Sequence, residues 1–181
     1  IKRNLSHAID MVGNYLDLSR IEKNEVEVKR REVALREDVI EPVLADFAEP
    51  IEEGKVTIEH TVPAKLTLMG DPDLLKVVYS NLVSNALKYG KPGGKISVGC
   101  ERIDGEVRCN VWNEGVGVSH DKLDLLFQKF ARATDPTLKT KKGTGLGLFI
   151  TKDIIERHGG HIHAESEQGS WINFIFTMPV V

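Results

Sequence analysis

The chain has 181 residues, 41% of them hydrophobic and 28% charged, the balance of a globular protein that buries a core without disulfide or metal staples. Its formal net charge of −3 excludes a general electrostatic affinity for nucleic acid or an anionic membrane. No apolar run approaches the ~20 residues a membrane-spanning helix requires. No stretch reads as a secretory leader, and the opening at Ile1 rather than methionine leads to the expectation of a fragment of a longer protein.

Residues 1–25 are predicted to form one helix. Leu5, Ile9, Val12 and Leu16 mark the seam of a coiled coil or bundle. One apolar stripe cannot bury itself, so this helix needs a partner from elsewhere in the chain or from another chain. Residues 26–181 read as a second unit. A helix is predicted over about 37–53, with Pro42 in its first turn, where proline is tolerated. "KVTIEHTV" alternates as a strand and "LTLMG" follows as another. Asp71 is a candidate N-cap, with Pro72 behind it, for a buried helix containing "NLVSNALKYG".

"GKISVGCERI" and "GEVRCNVWN" form a hairpin through the turn Asp104-Gly105. That turn pairs Ile103 with Glu106 and sets Cys100 opposite Cys109. Two cysteines are too few for a disulfide framework; they read as small apolar core residues in a reducing compartment. The register turns Ile96, Val98, Cys100, Val107, Cys109 and Val111 to one face, and Asn113 with them. "HDKLDLLFQKF" reads as a short helix and "ARATDPTLKTKKGTG" as a polar loop. "GLGLFITKDIIERHGG" is a helix ended by glycine, and "HIHAESE" and "SWINFIFTMP" are closing strands. Most strand pairs are hairpins. The fold class is therefore α+β: a two-layer sandwich of a mixed, mainly antiparallel sheet with helices on one face, preceded by the coiled-coil-like helix.

The chemistry gathers around the buried helix. Leu75, Val78, Leu82 and Ala86 make its core stripe, and Asn81, Asn85 and Lys88 line one flank. A buried amide without a partner costs ~1–3 kcal/mol, so either the protein or a ligand satisfies these two. "NEGVGV" adds Gly115 and Gly117 after a strand. "KGTGLGL" adds Gly143, Gly145 and Gly147 at a helix start, where backbone N–H groups favour an anion. Lys139, Lys141 and Lys142 precede it. Amides for a metal, glycines for phosphates and a basic loop suggest a nucleoside triphosphate with Mg²⁺. Neither glycine cluster matches the P-loop or the Rossmann fingerprint.

In this order, "NLVSNALKYG", "VWNEGVGV", "LFQKF", "KGTGLGL", "HGG" and "FIFTMP" resemble the catalytic ATP-binding domain of bacterial sensor histidine kinases, of the GHKL superfamily. The resemblance covers about residues 31–179. Residues 1–25, with "YLDLSRIE", resemble the second helix of the dimerization and phosphoacceptor hairpin. The resemblance implies that Asn85 ligates Mg²⁺, that Asn81 sits in the same polar cluster and that Lys88 reaches the phosphates. Tyr89 would line the nucleotide site, with Asn113, Gly115 and Gly117 at its adenine end. Residues 131–143, Lys142 and Gly143 among them, would form a lid, and Thr144, Gly145, Leu146, Gly147 and Leu148 would close on the phosphates. Phe127 and Phe130 would pack beneath the lid; plain core packing is the competing reading.

Three departures stand out. Asn113 replaces the aspartate that usually accepts the adenine amino group, which predicts weakened but not abolished binding. Trp171-Ile172 occupies the place of a Gly-Thr or Gly-Ser pair, with Gly169-Ser170 displaced upstream. No His-Glu/Asp-x-Arg/Lys-x-Pro acceptor motif is present, and His7 does not fit one. His158 reads as structural. His161 and His163 share a strand face, either as a metal pair or, more simply, as solvated or packed side chains.

Superfamily hydrolases carry a glutamate four residues before the metal-binding asparagine. Asn81 stands there, and an amide cannot serve as general base. The expected function is therefore phosphoryl transfer from Mg-ATP to a histidine on a helix outside this chain, then to a response regulator. The intact kinase would be a homodimer through the helical hairpin, with the domain in the cytoplasm. The alternative is a degenerate, non-catalytic nucleotide-sensing or interaction module.

Overall fold

A computed structural model of the chain describes residues 27–131 and 144–180. The predicted helix over residues 1–25, His7, Lys139, Lys141, Lys142 and Gly143 lie outside the described residues.

Strand β1 (Arg31–Ala34) pairs antiparallel with β3 (Thr67–Gly70) in a small sheet of its own. The main sheet has five strands in the order β2-β4-β5-β7-β6. These are β2 (Thr57–Thr61), β4 (Lys95–Ile103), β5 (Glu106–Glu114), β6 (His161–Glu167) and β7 (Trp171–Pro179). Only the β2–β4 pair is parallel, because a long helix crosses between those two strands. The mixed, mainly antiparallel two-layer sandwich is as expected.

The hairpin register is the one that Asp104-Gly105 dictates. Both turn residues have positive φ, 50° and 83°, and Ile103 faces Glu106 while Cys100 faces Cys109. Ile96, Val98, Cys100, Val107, Cys109, Val111 and Asn113 are all buried on the inner face. The cysteines depart from expectation. Their Cα atoms lie 4.1 Å apart and they are joined as a disulfide, since a directly opposed cross-strand pair brings the two thiols together. Tyr79 lies over this bridge, its hydroxyl 3.2 Å from Cys100 Sγ and its ring edge-on to Phe176 at 5.7 Å. Burial pushes its phenol far above the usual range.

The predicted helix over 37–53 starts earlier and is broken. A π-helical turn, Leu35–Ile40, leads into α1 (Glu41–Asp46), and α2 (Ala48–Glu53) follows after Phe47 at φ −97°, ψ 10°. The cause is Pro50, which lacks the N–H that would bond the Asp46 carbonyl and crowds it with its ring. The predicted helix in 120–130 is instead two 3₁₀ turns, His120–Lys122 and Asp124–Phe127; so short a stretch repays helix nucleation poorly.

Helix α3 (Pro72–Tyr89) and helix α4 (Gly147–Arg157) cover the inner face of the sheet. Asp71 caps α3 by accepting from Asp73 N–H (3.1 Å) and Leu74 N–H (3.3 Å). Helix α4 ends with the left-handed Gly159 (φ 84°). Gly159 N–H then bonds Glu156 O at 2.9 Å, and Gly160 N–H bonds Ile155 O at 3.0 Å.

Candidate active site

The core stripe of α3 is Leu75, Val78, Leu82 and Ala86, all buried. Its flank therefore faces along the helix layer, toward the start of α4. There Asn81 Nδ2 donates to Gly147 O (3.1 Å) and to Thr151 Oγ1 (3.3 Å). A Cβ on Gly147 would lie 3.2 Å from Asn81 Oδ1, so the glycine allows the two helices this approach. One turn on, Asn85 is half-buried and makes no hydrogen bond with any described residue. The two asparagines thus differ: Asn81 is tied to the protein and Asn85 is open. In the last turn of α3, Lys88 places its Nζ 5.2 Å from the centre of the Tyr89 ring.

The end of β5 carries the next residues of the predicted site. Asn113 is 1% exposed and sits between Ile96 of β4 and Ile172 of β7. Its Nδ2 donates to Glu114 O at 2.9 Å, which leaves Oδ1 as the acceptor without a described partner. With Ile172 opposite, no small hydroxyl stands beside Asn113 in the β5–β7 pair.

Gly115 and Gly117 are glycine for a reason the sequence did not reveal: other backbone lies against them. Gly115 bridges to Gly90, and its Cβ would lie 2.5 Å from Tyr89 O. Gly117 has φ 55°, and its Cβ would collide with the carbonyl of Glu167. The displaced Gly169-Ser170 braces this loop. Gly169 N–H donates to Val116 O (2.7 Å), and Gly115 N–H donates to Ser170 O (3.0 Å). Ser166 Oγ accepts from Val118 N–H at 2.8 Å while donating to Trp171 O at 2.6 Å.

The remaining residues of the predicted site lie at the start of α4. Thr144 Oγ1 accepts from Leu146 N–H (3.3 Å), Gly145 turns at φ 72°, and Leu146 is buried. The helix then begins at Gly147, with Leu148 half-buried behind it. Its first N–H groups have no intrahelical partner, and the helix dipole favours an anion there. The two phenylalanines split between their readings. Phe127 is core, edge-on to Phe174 at 6.3 Å, whereas Phe130 is 64% exposed at φ 60°.

His158 is structural, as expected. It is buried, accepts from Asp71 N–H at Nε2 (3.0 Å) and meets Ile154 O at Nδ1 (2.8 Å). Because an amide N–H can only donate, Nε2 must be the acceptor and Nδ1 must carry the proton. Burial holds this imidazole below the usual pKa, with Arg30 adding to that and the Ile154 bond and Asp71 opposing it.

An amide without a described partner, a braced glycine loop and a helix N-terminus are thus carried on one α+β sandwich. The family described as "Histidine kinase-, DNA gyrase B-, and HSP90-like ATPase" matches residues 70–181, and the chain belongs to it. The chain is 32% identical over 172 residues to the adaptive-response sensory kinase SasA of Synechococcus elongatus, covering 94% of this chain and 44% of that protein. It therefore spans less than half the length of that relative. The structure of full-length ShkA in complex with AMPPNP matches with a TM-score of 0.81 at 25% identity, over 96% of this chain and 36% of that one. Histidine kinase ThkA in complex with the response regulator protein TrrA matches with a TM-score of 0.76 at 26% identity, over 96% and 49% of the two chains. The chain is thus a domain of this ATPase family, similar to the catalytic domains of sensor histidine kinases.

Proposed function

We propose that the chain binds Mg-ATP between α3, the 113–117 loop and the start of α4. From there it would pass the γ-phosphoryl group to a histidine outside the chain and onward to a response regulator. The observation that carries this reading is the asymmetry of the two asparagines. Asn81 is consumed in holding α4, while Asn85 has no hydrogen-bond partner among the described residues. An amide oxygen is a hard ligand that suits Mg²⁺, so Asn85 would hold the ion, which when bound neutralises charge on the phosphates. Lys88 would contact the phosphates and Tyr89 would line the site. Asn113 would accept from the adenine amino group through Oδ1, beside Gly115 and Gly117. The backbone of Thr144, Gly145, Leu146, Gly147 and Leu148 would receive the phosphate chain, with Lys142 and Gly143 leading into it.

Transfer is favoured over hydrolysis because no carboxylate stands at position 81 to activate water. Asn81 then acts by positioning. It fixes the phosphate-binding end of α4 against the metal-binding helix, and such positioning is most of what phosphoryl transfer asks of a protein. Homodimerization through a helical hairpin, a response-regulator partner and a cytoplasmic site of action belong to the same proposal. Among the described residues no helix is long and apolar enough to cross a membrane.

The second reading, a nucleotide-sensing module without catalysis, rests on Asn113 and Ile172, a neutral and apolar pairing at the base end. Calorimetric titration with a non-hydrolysable ATP analogue, with and without Mg²⁺, separates the two. Micromolar to sub-millimolar binding that needs Mg²⁺ and weakens in Asn85→Ala supports the kinase reading. No binding at millimolar nucleotide rejects it.

A further inference from the structure

The nucleotide cleft leaves one feature of the sequence unused. Strand β6 is an edge of the main sheet, so one of its sides is open. Ile162 and Ala164 face the core, and by alternation His161, His163 and Glu165 face outward, all three exposed. The two imidazoles are stacked, 18° from parallel, with ring centres 6.3 Å apart. Glu165 brings a carboxylate oxygen to 3.9 Å from His163 Nε2.

We propose that His161 and His163 form a two-imidazole chelate for a divalent transition-metal ion, copper(II) above all, on the outer face of β6. Imidazole nitrogens bind such ions through lone pairs in the ring plane at about 2.0–2.1 Å, so the stacked rings have to turn about their side-chain torsions until one nitrogen of each converges on the ion. The χ2 torsion of histidine is broad, and His163 is 46% exposed, so the ring has room for that movement. Among the described residues no group of three or more His, Cys, Asp or Glu side chains is arranged to hold an ion. The site is thus a bidentate clip whose other positions fall to water. Glu165 adds negative charge beside it without being a ligand. Nitrogen donors and the Irving–Williams order place copper(II) first, nickel(II) and zinc(II) behind it, and Mg²⁺ outside its range. The clip is therefore chemically separate from the oxygen ligand at Asn85.

The test is titration of the nucleotide-free chain with copper(II) at neutral pH in a non-chelating buffer, read by calorimetry and by electron paramagnetic resonance. The expected result is one ion bound with micromolar affinity and a spectrum showing two nitrogen ligands. His161→Ala and His163→Ala should each weaken this binding by about 100-fold, the usual scale of a lost chelate partner. The double variant should lose it altogether. Both positions are exposed, so the variants keep the fold, which the nucleotide titration verifies. Binding that persists in the double variant, or a spectrum with one nitrogen per copper, overturns the proposal.

Discussion

The side-chain amide of Asn81 donates to the carbonyl of Gly147, 66 residues away, at 3.1 Å, and also reaches the buried hydroxyl of Thr151. Asn85 on the same face has no such partner among the described residues. The two should therefore respond oppositely to truncation. Asn81→Ala removes two hydrogen bonds and strands a buried hydroxyl, which costs about 1–3 kcal/mol. Chemical denaturation should show that loss, and nucleotide binding should fall with it as the start of α4 drifts. Asn85→Ala should leave the denaturation midpoint unchanged and remove only the Mg²⁺-dependent part of binding. Equal stability loss in both variants would contradict the division of roles.

The clamp at His158 predicts a pH dependence. The imidazole is neutral in the folded protein, accepting from Asp71 N–H and bonding Ile154 O. Its folded pKa lies below the ordinary 6.5, so the unfolded chain binds the extra proton more readily. The stability it contributes is fully present above pH 6.5 and is lost as pH falls from there through the folded value. Arg30, which faces it and donates to Arg157 O at 3.2 Å, disfavours the charged ring further, while Asp71 favours it. The urea midpoint of the parent chain should fall between about pH 7.5 and about pH 5.5, on either side of the ordinary histidine pKa. The fall should shrink in His158→Gln, which can still accept from Asp71 N–H but does not titrate. An unchanged slope in that variant would assign the acid sensitivity elsewhere.

Glycine substitutions should separate strain from collision. Gly105 has φ 83° and open space within 4 Å of where a Cβ would stand, whereas Gly117 combines φ 55° with an overlap on the Glu167 carbonyl. Gly105→Ala should cost about 1–2 kcal/mol, the left-handed penalty alone. Gly117→Ala should cost more, because the Ser166–Trp171 turn has to move away from the loop it braces. Thermal denaturation of the pair orders them, and a smaller loss for Gly117→Ala would remove the bracing argument.

Local chemistry made much of this fold legible. Asp104-Gly105 fixed the hairpin register and so the burial of Asn113. Asp71-Pro72 marked the start of α3, and Gly159-Gly160 marked the end of α4. What escaped depends on contacts distant in sequence. The bracing of Gly115 and Gly117 by Gly169-Ser170 pairs residues more than fifty positions apart. The Asn81–Gly147 tie does the same across a polar loop. The pairing of β1 with β3 apart from the main sheet has no local signal either. Phe47 is the exception, because Pro50 stood in plain view and its effect on the Asp46 carbonyl could have been read directly.

If Asn113 accepts from the adenine amino group as proposed, replacing it with aspartate supplies a charged acceptor, which is stronger than a neutral one by about 1 kcal/mol, or roughly five-fold in affinity. The structure adds a cost on the other side. Asn113 Nδ2 donates to Glu114 O at 2.9 Å, and an ionised carboxylate cannot donate. It would also lie between Ile96 and Ile172, where burial disfavours its charge. Asn113→Asp should therefore bind the ATP analogue about five-fold more tightly while unfolding at lower denaturant than the parent chain, and the stability deficit should narrow when nucleotide is present. Weaker nucleotide binding in this variant would mean that the side chain does not meet an amino group at all, and Asn113 would then be a structural amide rather than the base-recognising end of the cleft.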